Sequence, residues 1–409
     1  MITSLRGMRD FLNDGEIYEY VVNTCADVAK SYGYSFIETP KLEDTMLFRR
    51  SVGESSDIVV KEMYEFSDKG GSSICLRPEG TAGVVRAFIE NKMDKAGEQK
   101  RWFYHGSMFR YERPQRGRQR EFHQFGIECF GISDVFEDAS IIIMASKILA
   151  RLGIKAVLKL NSLGNKASMN GFKEKLANYA KAYENELCED CKRRIATNIL
   201  RVLDCKNEHC QSLLKDAPSV LDSLDNECKK DFELLQALLK ANGVEYEIDG
   251  RLVRGLDYYS KTAFEFVSDE IGAKSAVIGG GRYDGLTSEL GGKATPAVGW
   301  AMGIERIMEI LGSKNLSKTR DGVYLCSLSP DFIKDIFSLA IKLRQNGLKV
   351  ECSYEARSPA KHLNIADKKG AKIFLCLGED EVKNGEIWYK NLENKDEKRI
   401  KLENLKAEL

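Results

Sequence analysis

Four arginines, Arg113, Arg116, Arg118 and Arg120, fall within the eight residues 113–120. Planar guanidinium groups at that density suit bidentate binding of phosphate, on a nucleotide or an RNA backbone. The same run also fits a solvated basic turn. Just before it, period-two geometry sets Arg110 on one strand face with Gly106 and Met108; just after it, Phe122, Gln124, Gly126 and Glu128 share one face. An arginine, an amide and a carboxylate beside a glycine that leaves space make a pocket floor for a small polar ligand. Upstream, Glu79 and Thr81 point the same way in an extended chain, where a carboxylate and a hydroxyl would hold an ammonium group. A turn followed by a helix start at Thr81 is the alternative. Downstream, Arg254-Gly255-Leu256-Asp257-Tyr258-Tyr259 sets an arginine and two tyrosines beside a strand. The run Gly279-Gly280-Gly281-Arg282-Tyr283-Asp284-Gly285 matches neither the dinucleotide fingerprint nor the Walker loop. It reads as close backbone packing under a ligand, with Tyr283 as a wall, or as a plain turn. Arg306 falls in the first turn of a predicted helix.

Those residues need a frame. Ile17, Val21, Cys25, Val28 and Tyr32 recur at helical spacing, so residues 17–32 read as an amphipathic helix stopped by Gly33. Residues 34–39 read as a strand ended by Pro40, and 101–111 and 122–130 as two strands joined by a long polar loop. Residues 163–242, rich in Lys, Glu, Asn and Leu, read as a helical insertion. Strand signals return at 245–267 and 276–281, and a small-residue strand at 298–303 runs into a helix. From residue 323 the order strand, helix, strand, helix, strand ends at 377 and implies a separate α/β domain.

Composition narrows the classes. The 409 residues suggest two or three domains, and 43% hydrophobic with 30% charged residues is too apolar for a disordered chain. No apolar stretch approaches bilayer length, and residues 1–7 lack the apolar core of a signal peptide, so a cytoplasmic protein without membrane contact is expected. Sixty-two basic and 62 acidic residues balance, which argues against nonspecific coating of nucleic acid but leaves room for local basic patches.

Taken together, these segments closely resemble the histidyl-tRNA synthetases, a family of class II aminoacyl-tRNA synthetases, in order over essentially the whole chain. Arg6-Gly7-Met8-Arg9-Asp10 is similar to the family's opening, and Phe36-Ile37-Glu38-Thr39-Pro40 to the end of the first class II motif, at the dimer interface. Residues 109–128 resemble the second motif and its loop, and Gly303-Ile304-Glu305-Arg306 the third. The 254–259 run and the triple glycine ending at Tyr283 carry the resemblance from class to family.

The resemblance implies an α+β fold: an antiparallel catalytic sheet flanked by helices over 1–318, with the helical insertion at about 163–242, and a C-terminal α/β anticodon-binding domain over 319–409. It implies ATP-dependent ligation of L-histidine to tRNA(His) through histidyl-adenylate, by a cytoplasmic homodimer. ATP enters with Mg2+ as a substrate complex, and no tightly bound cofactor is expected. By resemblance, Arg110, Arg254 and Arg306 are the catalytic residues. ATP lies against Arg110 at its α-phosphate, Arg306 at its γ-phosphate, Phe122 at its adenine ring and Glu112 at its exocyclic amine. Histidine lies among Glu79, Thr81, Arg110, Gln124, Glu128, Arg254, Tyr258, Tyr259 and Tyr283, with Glu79, Thr81 and Gln124 at the α-amino group. Glu128 and Tyr259 face the imidazole. Gln115 and Arg116 are the candidates for contact with the tRNA acceptor end.

The remaining signals are weaker. Cys188-Glu189-Asp190-Cys191, with Cys205, His209 and Cys210, has the look of a zinc site, but the second half lacks regular spacing. Free thiols and no metal are expected. His105 and His123 read as core or supporting histidines. Residues 334–372 carry nine basic and four acidic side chains, a surplus that fits phosphate contact with an anticodon stem. The rivals are a regulatory paralogue of ATP phosphoribosyltransferase, which generally lacks the anticodon domain, and an RNA-binding protein without chemistry. Arg110, Arg254, Arg306 and the C-terminal segment speak against the first, and the histidine-specific run against the second.

Overall fold

The computed structural model describes residues 2–12, 14–53, 56, 58–115, 117–203, 205, 207–253, 258–270, 275–313 and 320–408. The chain divides into two compact units, Met1–Lys314 and Asn315–Leu409. No described helix is long and apolar enough to cross a membrane.

In chain order the strands of the first unit are β1 (Ser35–Phe36), β2 (Leu42–Asp44), β3 (Tyr64–Ser67), β4 (Ser73–Leu76), β5 (Lys100–Phe109), β6 (Glu121–Phe130), β7 (Val157–Ser162), β8 (Tyr246–Ile248), β9 (Ser260–Ser268), β10 (Ser275–Arg282) and β11 (Ala297–Gly303). Eight of them form one sheet in the order β1-β5-β6-β11-β10-β9-β7-β8, and β2-β4-β3 form a small separate sheet. From β5 to β7 every neighbouring pair is antiparallel, while β1 and β8 add parallel edges.

Alternation divides each strand between two environments. Phe103, Phe125, Ile127, Val298, Trp300 and Met302 face a large core closed by the helices Gly15–Ser31, Val135–Arg151 and Ile304–Ser313. Trp300, 1% exposed, donates its indole N–H to the Ile141 carbonyl at 3.1 Å, so its one polar atom is satisfied. The opposite face carries Tyr104, Met108, Phe130 and Tyr283 against Val84, Val85 and Phe88 of the helix Thr81–Glu90. That face holds the site.

The predicted strand pair at 101–111 and 122–130 appears as β5 and β6, with Gly106 opposite Gln124 and Met108 opposite Phe122. The strand expected at 34–39 shortens to Ser35–Phe36, because Thr39 turns to bind Arg77 instead of extending the ladder. The helical stretch 163–242 does not form one body. Helices from Lys166–Ala182 to Glu208–Leu213 surround their own small core, whereas Asn226–Ala241 buries Phe232, Leu235 and Leu239 in the main core.

The second unit continues with β12 (Val323–Ser327), β13 (Val350–Cys352), β14 (Ile373–Leu377), β15 (Glu386–Asn391) and β16 (Glu397–Lys401), in the sheet order β13-β12-β14-β15-β16. The first three are parallel, as the strand–helix alternation requires. The antiparallel pair β15–β16 was not anticipated: its buried Ile387, Tyr389 and Ile400 are spaced among charged residues that hide the alternation.

One buried ion pair fastens β10 to the helix Val135–Arg151. Arg282, 1% exposed, donates from Nε to both carboxylate oxygens of Asp138 at 3.2 and 3.1 Å, and from its Nη atoms to the carbonyls of Ile132 and Asp134. Removing one partner of such a pair strands a buried charge. Asp138→Asn is therefore expected to lower the unfolding free energy of the first unit by about 3–5 kcal/mol. Urea unfolding followed by tryptophan fluorescence measures it, and a loss below about 1 kcal/mol would show the pair to be replaceable.

Candidate active site

A cleft of about 390 Å³ opens over the β6-β11-β10-β9 region, on the face that also packs against the helix Thr81–Glu90, within the size range of small-molecule sites. Glu79, Thr81, Arg110, Glu112, Phe122, Gln124, Tyr258, Tyr259 and Arg306 all line it. The sequence thus named nine residues, from four separated stretches, that share one cavity. Glu128 and Tyr283 lie beneath it, almost wholly buried. Gln115 is exposed on the β5–β6 loop and does not line the cleft. Arg116 and Arg254 lie outside the described residues.

At one end the cleft is basic. Arg110 follows β5, fixed by a hydrogen bond from Nε to the Pro78 carbonyl at 2.9 Å, with its guanidinium 5.2 Å from the centre of the Phe122 ring. Arg306, in the first turn of the helix after β11, donates to the carbonyl of Ala276 on β10. Burial, and then the neighbouring charges of Arg118 and Arg110, push the Arg306 guanidinium below its ordinary pKa. A guanidinium held beside others of like charge is receptive to an anion. Glu112 forms a 3.0 Å ion pair with Arg118, and Arg120 stacks 3.7 Å over Tyr111. The backbone N–H groups of Arg120 and Glu121 both donate to the Gly7 carbonyl, so the opening segment anchors the second half of this loop.

The other end is acidic and buried. Glu79 accepts hydrogen bonds from the N–H groups of Thr81 and Ala82 at 2.7 and 2.8 Å, capping the helix Thr81–Glu90. This corrects the extended reading of 79–81: the helix starts at Thr81, and the cap comes from Glu79. Burial pushes the Glu79 carboxyl up, while those two N–H groups and the charge of Arg110 pull it back part of the way. The Thr81 hydroxyl donates to Glu128 Oε1 at 2.7 Å, joined by the Tyr104 hydroxyl at 3.3 Å, and the Tyr283 hydroxyl donates to Oε2. Burial raises the Glu128 carboxyl to about 8 against the opposing pull of these hydroxyls. Between the two ends the buried side-chain oxygen of Gln124 has no hydrogen-bond partner among the described residues. It is an acceptor facing a cavity, which suits a donor ligand such as an ammonium group.

Two expectations change. Gly126 does not leave room for a ligand: a Cβ there would sit 2.3 Å from the Tyr104 ring, and one at Gly80 2.2 Å from it, so the glycines seat a tyrosine. Tyr283 is no wall of the cleft but acts through Glu128 from below. Within the triple glycine, Gly280 and Gly281 are demanded by close strand approach, with Gly299 and Thr262 carbonyls 2.3 and 2.2 Å from an added Cβ.

Sequence reasoning missed four contributors. Tyr104 continues the period-two series Tyr104, Gly106, Met108, Arg110, so the alternation itself held its signal. Glu305 lines the cleft and accepts from the His123 backbone N–H at 2.9 Å, with a further contact to His123 Nδ1 at 2.8 Å. Ser107 meets His123 Nε2 at 3.1 Å, so His123 is a supporting residue, as read. Gln119 and Glu265 also line the cleft, beside Arg118 of the arginine run already read as suited to phosphate. They come from the basic loop and β9, where nothing in the spacing separated them from solvent-facing neighbours.

A family model described as Histidyl-tRNA synthetase matches residues 7–307, and one described as Anticodon binding domain matches residues 322–409. The chain is 64% identical to a histidine–tRNA ligase of Campylobacter fetus and 61% to that of Campylobacter concisus, each alignment covering all of both chains. The crystal structure of apo Staphylococcus aureus histidyl-tRNA synthetase superposes with a TM-score of 0.81 at 34% identity, covering 100% of this chain and 99% of that one. Arginines and buried carboxylates at opposite ends of one cleft, and a match over both units, lead to one conclusion: this chain belongs to the histidyl-tRNA synthetase family.

Proposed function

We propose that the chain activates L-histidine with ATP and transfers it to the 3′-terminal adenosine of tRNA(His). The observation that carries this reading is the polarity of the cleft, which joins a basic end to a buried acidic end within reach of one small ligand pair. ATP, entering as its magnesium complex, would set its phosphates at Arg110 and Arg306 and its adenine against Phe122, with Glu112 at the exocyclic amine. The α-amino group of histidine would meet Glu79, Thr81 and the unpartnered oxygen of Gln124. Its imidazole would reach Glu128 beside Tyr258 and Tyr259, with Tyr283 fixing Glu128 from below.

The carboxylate of histidine then attacks the α-phosphorus, and pyrophosphate leaves. Both reactants are anionic, so fixed guanidinium groups lower their repulsion and stabilise the charge that spreads in the transition state. Arg254, assigned by resemblance, would bridge the carboxylate and the α-phosphate. An ionised nucleophile needs no general base. In the second step the 3′-hydroxyl takes the acyl group and AMP departs. Gln115, exposed on the β5–β6 loop, or Arg116 would touch the acceptor end, and the second unit would bind the anticodon stem. The chain would act as a homodimer through the first-motif segment, a reading supported by the half-exposed Phe36, Leu42 and Met46. A regulatory, non-catalytic role is disfavoured by Arg110 and Arg306 in the cleft and by the second unit.

Three measurements test this reading. Exchange of labelled pyrophosphate into ATP, without tRNA, should occur with histidine and with no other amino acid. Arg110→Ala and Arg254→Ala should each slow it by about 10²-fold or more, the scale of a lost transition-state charge contact. Unchanged exchange in either variant would remove that arginine from the mechanism. A chain ending at Lys318 should keep more of its exchange activity than of its tRNA charging; equal loss of both would argue against a separate tRNA-binding unit.

The third concerns pH. Between the unfolded carboxyl value of about 4.3 and the folded value of about 8, native Glu128 holds a proton that the unfolded chain has released. Its contribution to stability therefore falls as pH rises through that window, by at most ~1.4 kcal/mol per pH unit. Glu128→Gln removes this slope, so the Tm of the variant should gain on the parent between pH 5 and 8. Parallel Tm profiles would show that Glu128 is ionised in the empty site.

A further inference from the structure

We propose that Cys188, Cys191, Cys205 and Cys210 form a closed structural zinc site in the helical segment, apart from the catalytic cleft. The four sulfurs lie within 4.8 Å of one another, and Cys188 Sγ is 3.8 Å from Cys205 Sγ. Zn–S bonds of about 2.3 Å in tetrahedral geometry require S···S edges of about 3.8 Å, so the spacing is already close to that of a Zn(Cys)4 centre. A disulfide would bring one pair to about 2.05 Å, which the structure does not contain. An iron–sulfur cluster would hold the thiolates further apart, because irons and inorganic sulfides stand between them.

The surroundings fit a metal more than four thiols. The two pairs are Cys-x2-Cys and Cys-x4-Cys, and the second spacing is what obscured the site in sequence. Each pair sits at a helix start: Cys188 precedes the helix Glu189–Thr197, and Cys210 lies in the first turn of Glu208–Leu213. The backbone N–H of Cys188 points at Cys210 Sγ, 3.2 Å away, a donor that stabilises a metal-bound thiolate. On binding, the thiols release their protons to solvent, and the resulting dianionic centre keeps the Cys188 N–H as a donor. His209 is exposed and takes no part.

The local core explains the need. Phe172, Leu176, Leu187, Val202 and Leu214 make a small cluster between short helices, and segments of this size commonly require a staple. Four protein ligands leave no open position, which marks a structural and not a catalytic metal. Residues 195–201, strung between the two cysteine pairs, also line a groove of about 540 Å³ with Val253 and Tyr259. The metal would therefore fix a wall that faces the residues next to the catalytic cleft. The proposal departs from the sequence expectation of free thiols and no metal.

Elemental analysis of the purified full chain, prepared under reducing conditions with zinc present, should give about one zinc per chain. Cys191→Ser/Cys210→Ser should carry less than a tenth of that. Independently of whether that variant folds, cobalt(II) alone added to the metal-stripped parent chain should give strong visible bands of tetrahedral cobalt and a thiolate charge-transfer band. Chelation should lower the Tm of the parent. A folded parent chain that holds no zinc and gives no tetrahedral cobalt spectrum would overturn the proposal. So would iron in place of zinc, or Cys188 and Cys205 recovered as a disulfide.

Discussion

A carboxylate buried to 1% exposure, with three hydroxyls as its hydrogen-bond partners, sets the terms for the catalytic face. Burial without a hydrogen-bond partner would be prohibitive, so Glu128 requires donors from three directions. Thr81 supplies one only because a helix begins there, and the helix begins there because Glu79 caps it. Tyr104 supplies the second, and its ring needs the two glycines Gly80 and Gly126. The third, Tyr283, stands at the end of β10 next to the Arg282–Asp138 pair. Glu128 itself needs Gly299 opposite it, where a Cβ would lie 2.0 Å from its Oε2. One carboxylate thus accounts for residues in a helix start, three strands and a strand end.

The basic end is built differently. Arg110 and Arg306 are held by backbone carbonyls, of Pro78 and Ala276, which fix direction without neutralising charge. Arg118 is paired with Glu112, yet it still depresses Arg306. Fixed positive charge without full compensation costs the empty protein stability and is recovered when an anion binds. In the proposed reading the two ends together would orient a zwitterion next to a polyanion, which favours one direction of approach.

Much of this frame was legible. The strands β5 and β6 showed because one face is apolar and the other carries spaced functional groups, which makes period two visible, while β11 showed as a run of small residues leading into a helix. The same rule identified Arg110, Gln124 and Glu128 as neighbours before any pairing was known. What failed were inferences about empty space. Gly126 was read as room for a ligand when it is room for Tyr104, since a glycine reports close approach and not what approaches. The helix Asn226–Ala241 looked like the rest of the insertion, because composition does not tell which core an apolar stripe faces. The edge pair β15–β16 escaped because charged residues at an edge mask alternation. The four cysteines were grouped in sequence, but their irregular second spacing left the grouping undecided until the fold set their sulfurs together.

The Glu128 site also bears on selectivity. In the proposed reading the imidazole brings a donor and an acceptor to a carboxyl whose pKa burial raises to about 8. An apolar side chain of similar size fills the volume but satisfies neither group, and leaves a desolvated carboxyl facing hydrocarbon. Sites built to hydrogen-bond a polar substrate reject analogues without it by about 10⁴-fold or more, whereas a missing methylene costs only about 10- to 200-fold. The burial that makes Glu128 expensive to fold is therefore what makes it discriminating. In that reading a separate hydrolytic check on mischarged product would have little left to correct, and accuracy would reside in the floor of a single cleft.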